Sequence, residues 1–285
     1  MNRATAIGAT AVLMWATLAS FAVASGEIPP FQVTAMALAI GGAFGLLVAA
    51  LRGRLWAMAQ PWPVYALGIG GIFLYHALYF AALRNAPAAE AGLVAYLWPL
   101  LIVLMSAMLP GETLAPRHVV GAALGLAGAA TLILSRGGLT GFGGAWFGDL
   151  LALGCAFTWS SYSVLSRKVK DAPTETVAGF CLASAALAAL CHGMFETSVW
   201  PLGAVAWGAV AGLGLLPLGL AFYVWDFGVK HGDIKLLGVA SYGAPLLSTL
   251  LLIALGYASP SAYLALAAAL IVGGAVVAAW KPRHA

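Results

Sequence analysis

Residues 88–109 read AAEAGLVAYLWPLLIVLMSAML, twenty-two residues with one charge, Glu90. A helix of about 20 mostly apolar residues is what a bilayer requires of a span. Residues 234–255, IKLLGVASYGAPLLSTLLLIAL, repeat the pattern, with Tyr242 and Pro245 standing where Tyr96 and Pro99 stand. Two such stretches in one chain set the fold class and suggest a duplication.

The same reading extends along the chain and predicts ten spans. They lie near residues 4–24, 31–51, 63–83, 88–109, 117–135, 146–166, 174–193, 203–229, 234–255 and 260–280. The intervening loops, such as Gln60-Pro61-Trp62-Pro63, Pro110-Gly111-Glu112 and the glycine-rich stretch 137–144, are short turns. The expected fold is an all-α integral membrane protein without a soluble domain. Composition agrees: 63% of the 285 residues are hydrophobic and 8% charged, against about 25% charged in soluble domains. Ala22-Val23-Ala24 before Ser25 resembles a signal-peptide cleavage site. The run before it is one of many similar runs, so it reads as the first span.

Charge orients the chain. With the N-terminus inside, Arg3, Arg52, Arg54, Arg117, Arg167, Lys168, Lys170, Lys230, Lys235, Lys281 and Arg283 fall on the inner side. Only Arg84 and Arg136 fall outside. This positive-inside bias places both termini in the cytoplasm. Trp56, Trp62, Trp146, Trp200 and Trp280 flank spans, where amphipathic rings prefer to sit. No basic stripe or nucleic-acid motif accompanies the net charge of +4, so no nucleic-acid partner is expected. Cys155, Cys181 and Cys191 lack metal-ligand spacing and read as small buried hydrophobes. Neither metal nor cofactor is expected, and a monomer in the lipid bilayer is the simplest state.

An offset of 146 aligns Arg84 with Lys230, Gly92 with Gly238, Tyr96 with Tyr242, Pro99 with Pro245 and Gly128 with Gly274. At 144, Trp15 meets Trp159 and Pro29 meets Pro173. This divides the chain into residues 1–142 and 143–285, two repeats of five helices. Five is odd, so the second repeat enters the membrane inverted. That architecture recurs in carriers whose site lies between the repeats near the midplane.

Aromatic residues mark where that site would be. In the third span Ile72, Tyr75, His76, Tyr79 and Leu83 share a stripe; in the eighth, Leu218, Phe222, Trp225, Asp226 and Val229 do. The offset maps His76 onto Phe222 and Tyr79 onto Trp225. Such rings either wall a cavity for an aromatic or amphipathic cargo or fill a helix interface. Tyr96 and Tyr242 are expected to point inward. Trp98 points either inward or to lipid. Trp15 and Trp159 sit mid-span, which favours the cavity. Pro99 and Pro245 each remove a backbone donor, freeing the carbonyls of Ala95 and Ser241; they are either hinges or static kinks. His76, the one ionisable group deep in a span, either meets a carboxylate or proton, or bonds a neighbouring helix. Asp226 and Lys230 read as a structural i,i+4 pair. Gly41 with Gly45, Gly121 with Gly125, and Gly208 with Gly212 are spaced for close helix contact.

The chain resembles the drug/metabolite transporter superfamily in its EamA-type branch. The resemblance rests on Trp15 and Trp159, on Arg84-Asn85-Ala86-Pro87-Ala88, on Tyr96 to Pro99, and on Gly111-Glu112-Thr113-Leu114 followed by Gly121, Gly125 and Gly128. The second half departs from it, with Tyr257-Ala258 where Gly111-Glu112 stand. Within the family it is similar to bacterial inner-membrane exporters of aromatic amino acids. The resemblance implies export of aromatic amino acids and related metabolites by alternating access. Carriage of a drug, nucleoside or sugar derivative is the neighbouring alternative. A channel lacks the ring of equivalent residues it needs, and an enzyme lacks a cluster of nucleophile, base and metal ligands.

Overall fold

A computed structural model describes residues 2–137, 145–257 and 259–280. Lys281, Arg283, Ala258 and most of the glycine-rich stretch lie outside the described residues, as does the Arg136 side chain. Among the described residues there is no strand. The helical segments are α1 Arg3–Ser25, α2 Pro30–Leu51, α3 Trp62–Asn85, α4 Glu90–Met108, α5 Pro116–Ser135, α6 Trp146–Leu165, α7 Thr174–Phe195, α8 Gly203–His231, α9 Ile234–Ala254 and α10 Ala262–Ala279. Among the described residues nine of them are long and apolar enough to cross a membrane. The exception is α6. Its 20 residues reach about 30 Å, but Asp149 and the run Thr158-Trp159-Ser160-Ser161-Tyr162-Ser163 lower its hydropathy.

Turn chemistry sets the ends. Pro30 opens α2 at its first turn, where a missing N–H costs nothing. Gly111 after α4 and Gly256 after α9 both sit at positive φ, 78° and 79°, where L side chains are strained. The turn glycine of the second half is thus Gly256, one residue before the Tyr257 that the 146 offset places opposite Gly111.

Four segments are irregular, and in corresponding places. Gly70–Leu74 in α3 and Leu216–Leu220 in α8 are π-helical, 146 residues apart. A π turn bonds i to i+5; such turns are rare and are frequently found at functional sites. In α8 the cause is local, since Pro217 has no N–H to give. The helices α4 and α9 break at Tyr96-Leu97 and at Ser241-Tyr242, just before Pro99 and Pro245.

Packing runs through small residues. A methyl on Gly8 of α1 would approach the Gly228 Cα of α8 to 2.8 Å; one on Gly121 of α5 would approach the Gly274 carbonyl of α10 to 2.5 Å. The Gly121, Gly125 and Gly41 positions meet neighbouring helices as the spacing predicts. Gly208 does not: nothing lies within 4 Å of its added methyl.

Charged groups gather at the two ends of the bundle. At one end Arg54 pairs with Glu175 at 2.8 Å. There Glu112 also pairs with Arg167 and, at 2.5 Å, with Lys235. Arg167 Nη2 also donates to the Gly232 carbonyl at 2.5 Å. Asp233 caps α9, accepting from the Lys235 and Leu236 N–H groups. At the other end Glu196 accepts from the Phe31 and Gln32 N–H groups of α2 at 3.0 and 3.1 Å. Glu196 also lies 3.0 Å from His192 and 3.7 Å from Arg84.

Candidate functional site

Four tryptophans meet in the middle of the bundle. Trp15 comes from α1, Trp98 from α4, Trp159 from α6 and Trp225 from α8. Trp15 lies 5.9 Å from Trp98, 5.9 Å from Trp159 and 5.0 Å from Trp225 between ring centroids. Trp98 is 6.3 Å from Trp159 and 5.8 Å from Trp225, both edge-on, while Trp159 and Trp225 stack at 6.3 Å. Edge-to-face and offset contacts are the favoured geometries of ring quadrupoles. The two arrangements left open for Trp98 resolve inward, at 6% exposure.

The tetrad has a second layer on α3. Tyr75 is 5.6 Å from Trp159 and stacks on Tyr79 at 6.3 Å. Phe222 joins Trp159 at 5.6 Å and His76 at 6.5 Å. The rings differ in access. Trp98, Trp159, Phe222 and Trp225 are buried. Trp15, Tyr75, His76, Tyr79 and Tyr96 stay half-buried. Gly92, one turn before Tyr96, has nothing within 4 Å of an added methyl, so open room adjoins that ring.

Hydrogen bonds fix several of these groups. The π turn of α3 shifts the backbone pairing by one residue. There His76 Nδ1 meets the Ile72 carbonyl at 2.7 Å. A carbonyl only accepts, so Nδ1 carries the proton and Nε2 is the ring atom left for a ligand. Trp225 Nε1–H donates to Ser163 Oγ at 3.0 Å. Ser160 Oγ lies 2.9 Å from the Trp98 carbonyl and 2.7 Å from that of Ala156. Ser163, Ser160 and Tyr162, 5.3 Å from Trp159, hold the tetrad in place. The sequence reading did not single out Tyr162, whose signal is its i+3 spacing from Trp159.

Tyr242 stands apart from the tetrad. It is wholly buried, packed on Gly125 of α5, and its hydroxyl accepts the Leu100 N–H at 3.1 Å. In a regular helix that N–H would bond the Tyr96 carbonyl. The break in α4 is therefore stitched by a side chain from the break in α9. The Ser241 carbonyl, expected to be freed by Pro245, accepts from the Ala244 N–H at 3.1 Å. The chain compensates by tightening the turn.

Asp226 and Lys230 form the expected pair, at 2.9 Å and almost wholly buried. Thr174 donates to Asp226 at 2.8 Å, and Lys230 donates to the Ala172 carbonyl at 2.9 Å. These bonds tie α8 to the start of α7, away from the half-buried rings. Among the described residues no group of three or more His, Cys, Asp or Glu is placed to hold a metal.

Comparison with known proteins follows the same outline. The model of the EamA-like transporter family matches residues 3–134 and 146–280. An aromatic amino acid exporter, YddG, of Ancylobacter novellus is 58% identical over 285 residues, 99% of each chain. The exporter of the same name from Salmonella typhimurium is 25% identical over 264 residues, 88% of this chain and 87% of the other. A solved crystal structure at 57% identity covers 98% of both chains with a TM-score of 0.92.

Proposed function

Since the chain belongs to the EamA-like transporter family, we propose that it exports aromatic amino acids and related small metabolites across a bacterial inner membrane by alternating access. The observation that carries this reading is the ring cluster: four tryptophans, with half-buried Tyr75, His76, Tyr79 and Tyr96 beside them. The end-to-end likeness to an aromatic amino acid exporter supports the same class of cargo.

In this account all ten helices cross the bilayer, with both termini in the cytoplasm. Residues 1–142 and 143–285 form two inverted repeats, and the matched π turns in α3 and α8 support that pairing. α6 crosses despite its low hydropathy because its polar run faces protein: Trp159, Ser160, Tyr162 and Ser163 are buried. The carrier works as a monomer with lipid as its surround and without a cofactor. It moves its cargo unchanged, so it is not an enzyme.

Each residue then has a role. Trp15, Tyr75, Tyr79 and Tyr96 offer ring faces and phenol hydroxyls to the cargo. His76 Nε2 faces its polar end. Trp98, Trp159, Phe222 and Trp225 form the backing wall, and Tyr242 supports it from behind. Pro99 and Pro245 mark the hinges, where the bond from Leu100 to Tyr242 lets the breaks in α4 and α9 move together. An aromatic cargo gains about 0.5–1.5 kcal/mol for each well-oriented ring pair beyond area burial. Threonine gains none of it.

The test is uptake of labelled phenylalanine, tryptophan and threonine into liposomes holding the purified protein. Saturable uptake of the two aromatic amino acids in preference to threonine is expected. Absence of uptake of all three, with a proton gradient and without one, would overturn the proposal.

A further inference from the structure

A groove of about 720 Å³ opens on the side of the bundle between α1, α5, α9 and α10. It does not belong to the ring cluster, for no Trp, Tyr or Phe lines it. Its walls are aliphatic, from Leu236 to Leu247 on α9 and from Ile271 to Ala279 on α10. At a rise of 1.5 Å per residue these walls run about 16 Å and about 12 Å. Half of a bilayer's hydrocarbon core is about 15 Å. Val272 and Val276 on the α10 wall are 56% and 55% exposed, so the groove opens outward from the bundle. An apolar slot that faces hydrocarbon and is one leaflet deep is filled by acyl chain.

One end is polar, and most of its acceptors are engaged. Asn2 Oδ1 accepts from Thr5, Thr5 Oγ1 accepts from the Asp233 N–H, and Asp233 Oδ1 caps α9, so the second Asp233 oxygen is the carboxylate atom an incoming anion must avoid. The donors are not spent. Arg117 lines the groove, makes no ion pair among the described residues, and its buried Nε has no hydrogen-bond partner. His118 is 7% exposed. Its Nδ1 accepts from the Ala115 N–H at 3.3 Å, which leaves the proton of the neutral ring on Nε2. A guanidinium and an imidazole N–H with no acceptor of their own, at the mouth of an acyl-length slot, match a phosphate on a lipid.

We propose that this groove is a specific site for one phospholipid of the cytoplasmic leaflet. Its phosphate is held by Arg117 and His118, and one acyl chain lies between α9 and α10. The site is independent of the cargo, so its test does not use transport.

Native mass spectrometry of the full-length protein in detergent supplies that test, with phosphatidylglycerol and the diacylglycerol of the same chains as probes. The wild type should retain one phosphatidylglycerol and little diacylglycerol. Arg117→Gln should retain about tenfold less phosphatidylglycerol, the order expected for one lost charge-assisted hydrogen bond. Arg54→Gln, at the same end but paired with Glu175, should retain as much as the wild type. Ala275→Leu, which narrows the slot without touching the polar end, should also weaken retention. Equal retention of the two lipids, equal loss in Arg117→Gln and Arg54→Gln, or a protein dimer in place of the lipid adduct would each overturn the proposal.

Discussion

At the end that holds most of the bases, Glu112 from the first half grips Arg167 and Lys235 from the second. At the opposite end Glu196 from the second half grips Arg84 and two backbone N–H groups from the first. Each carboxylate joins the halves across one face, but by different means. Glu112 is held by two side-chain cations on flexible stems. Glu196 caps a helix, so its partners are fixed by α2 itself and favoured by the helix dipole. An ionic clasp lets go when a charge is neutralised, with no helix end left unsatisfied. A capped end releases only by exposing the first turn of α2. The Glu112 face should therefore respond more strongly to salt and acid than the Glu196 face.

A third carboxylate sets the scale for breaking either clasp. Asp226 is buried against Lys230, so Asp226→Asn leaves a buried ammonium without its counter-charge. A loss of about 3–5 kcal/mol is expected, read as a collapse of melting temperature in detergent. An unchanged melting temperature would remove Asp226 as the reference. Glu112→Gln should cost less, about 1–3 kcal/mol, because the clasp is partly solvated. Its cost should shrink in high salt as the charges are screened. Glu196→Gln should cost about 0.5–2 kcal/mol, the range for a lost cap, with little salt dependence. Equal salt dependence at both ends would erase the difference drawn here.

Acid sharpens the contrast further. Burial raises the Glu112 pKa, but the Lys235 and Arg167 contacts outweigh it and leave the carboxyl below its ordinary value of 4.5. A depressed carboxylate stabilises the fold above its unfolded pKa and loses that contribution as pH falls through the folded value. The wild type should therefore outlast Glu112→Gln by a constant margin above about pH 4.5. The margin should vanish on acidification below it. A margin independent of pH would mean that Glu112 acts by packing rather than charge.

Much of this was legible in the sequence. Apolar length marked the nine membrane-long apolar helices found among the described residues, and the π turns of α3 and α8 stand 146 residues apart, the offset read from the sequence. That offset predicted neither π turn, because the proline that removes a backbone donor in α8, Pro217, has no counterpart in Gly70–Leu74 of α3. Trp98 was ambiguous on a helical wheel because it falls nearly opposite Tyr96, and α4 breaks at Tyr96-Leu97 just before it. Tyr242 was read as an inward ring, yet its hydroxyl serves the backbone of another helix. Only tertiary placement reveals such a bond. Glu196 lies at the end of α7 and contacts α2 some 165 residues away. No local pattern announces that contact.

The central claim is that rings between the halves hold the cargo, and binding of phenylalanine to the purified protein tests it most directly. Titration calorimetry on the wild type, Tyr79→Phe and Tyr79→Ala separates a ring contact from a merely structural role, since Tyr79 is half-buried and its loss spares the tryptophan tetrad. The account predicts near wild-type affinity for Tyr79→Phe and a loss of about fivefold or more for Tyr79→Ala, the order of one aromatic contact. Wild-type affinity in a well-folded Tyr79→Ala would contradict it.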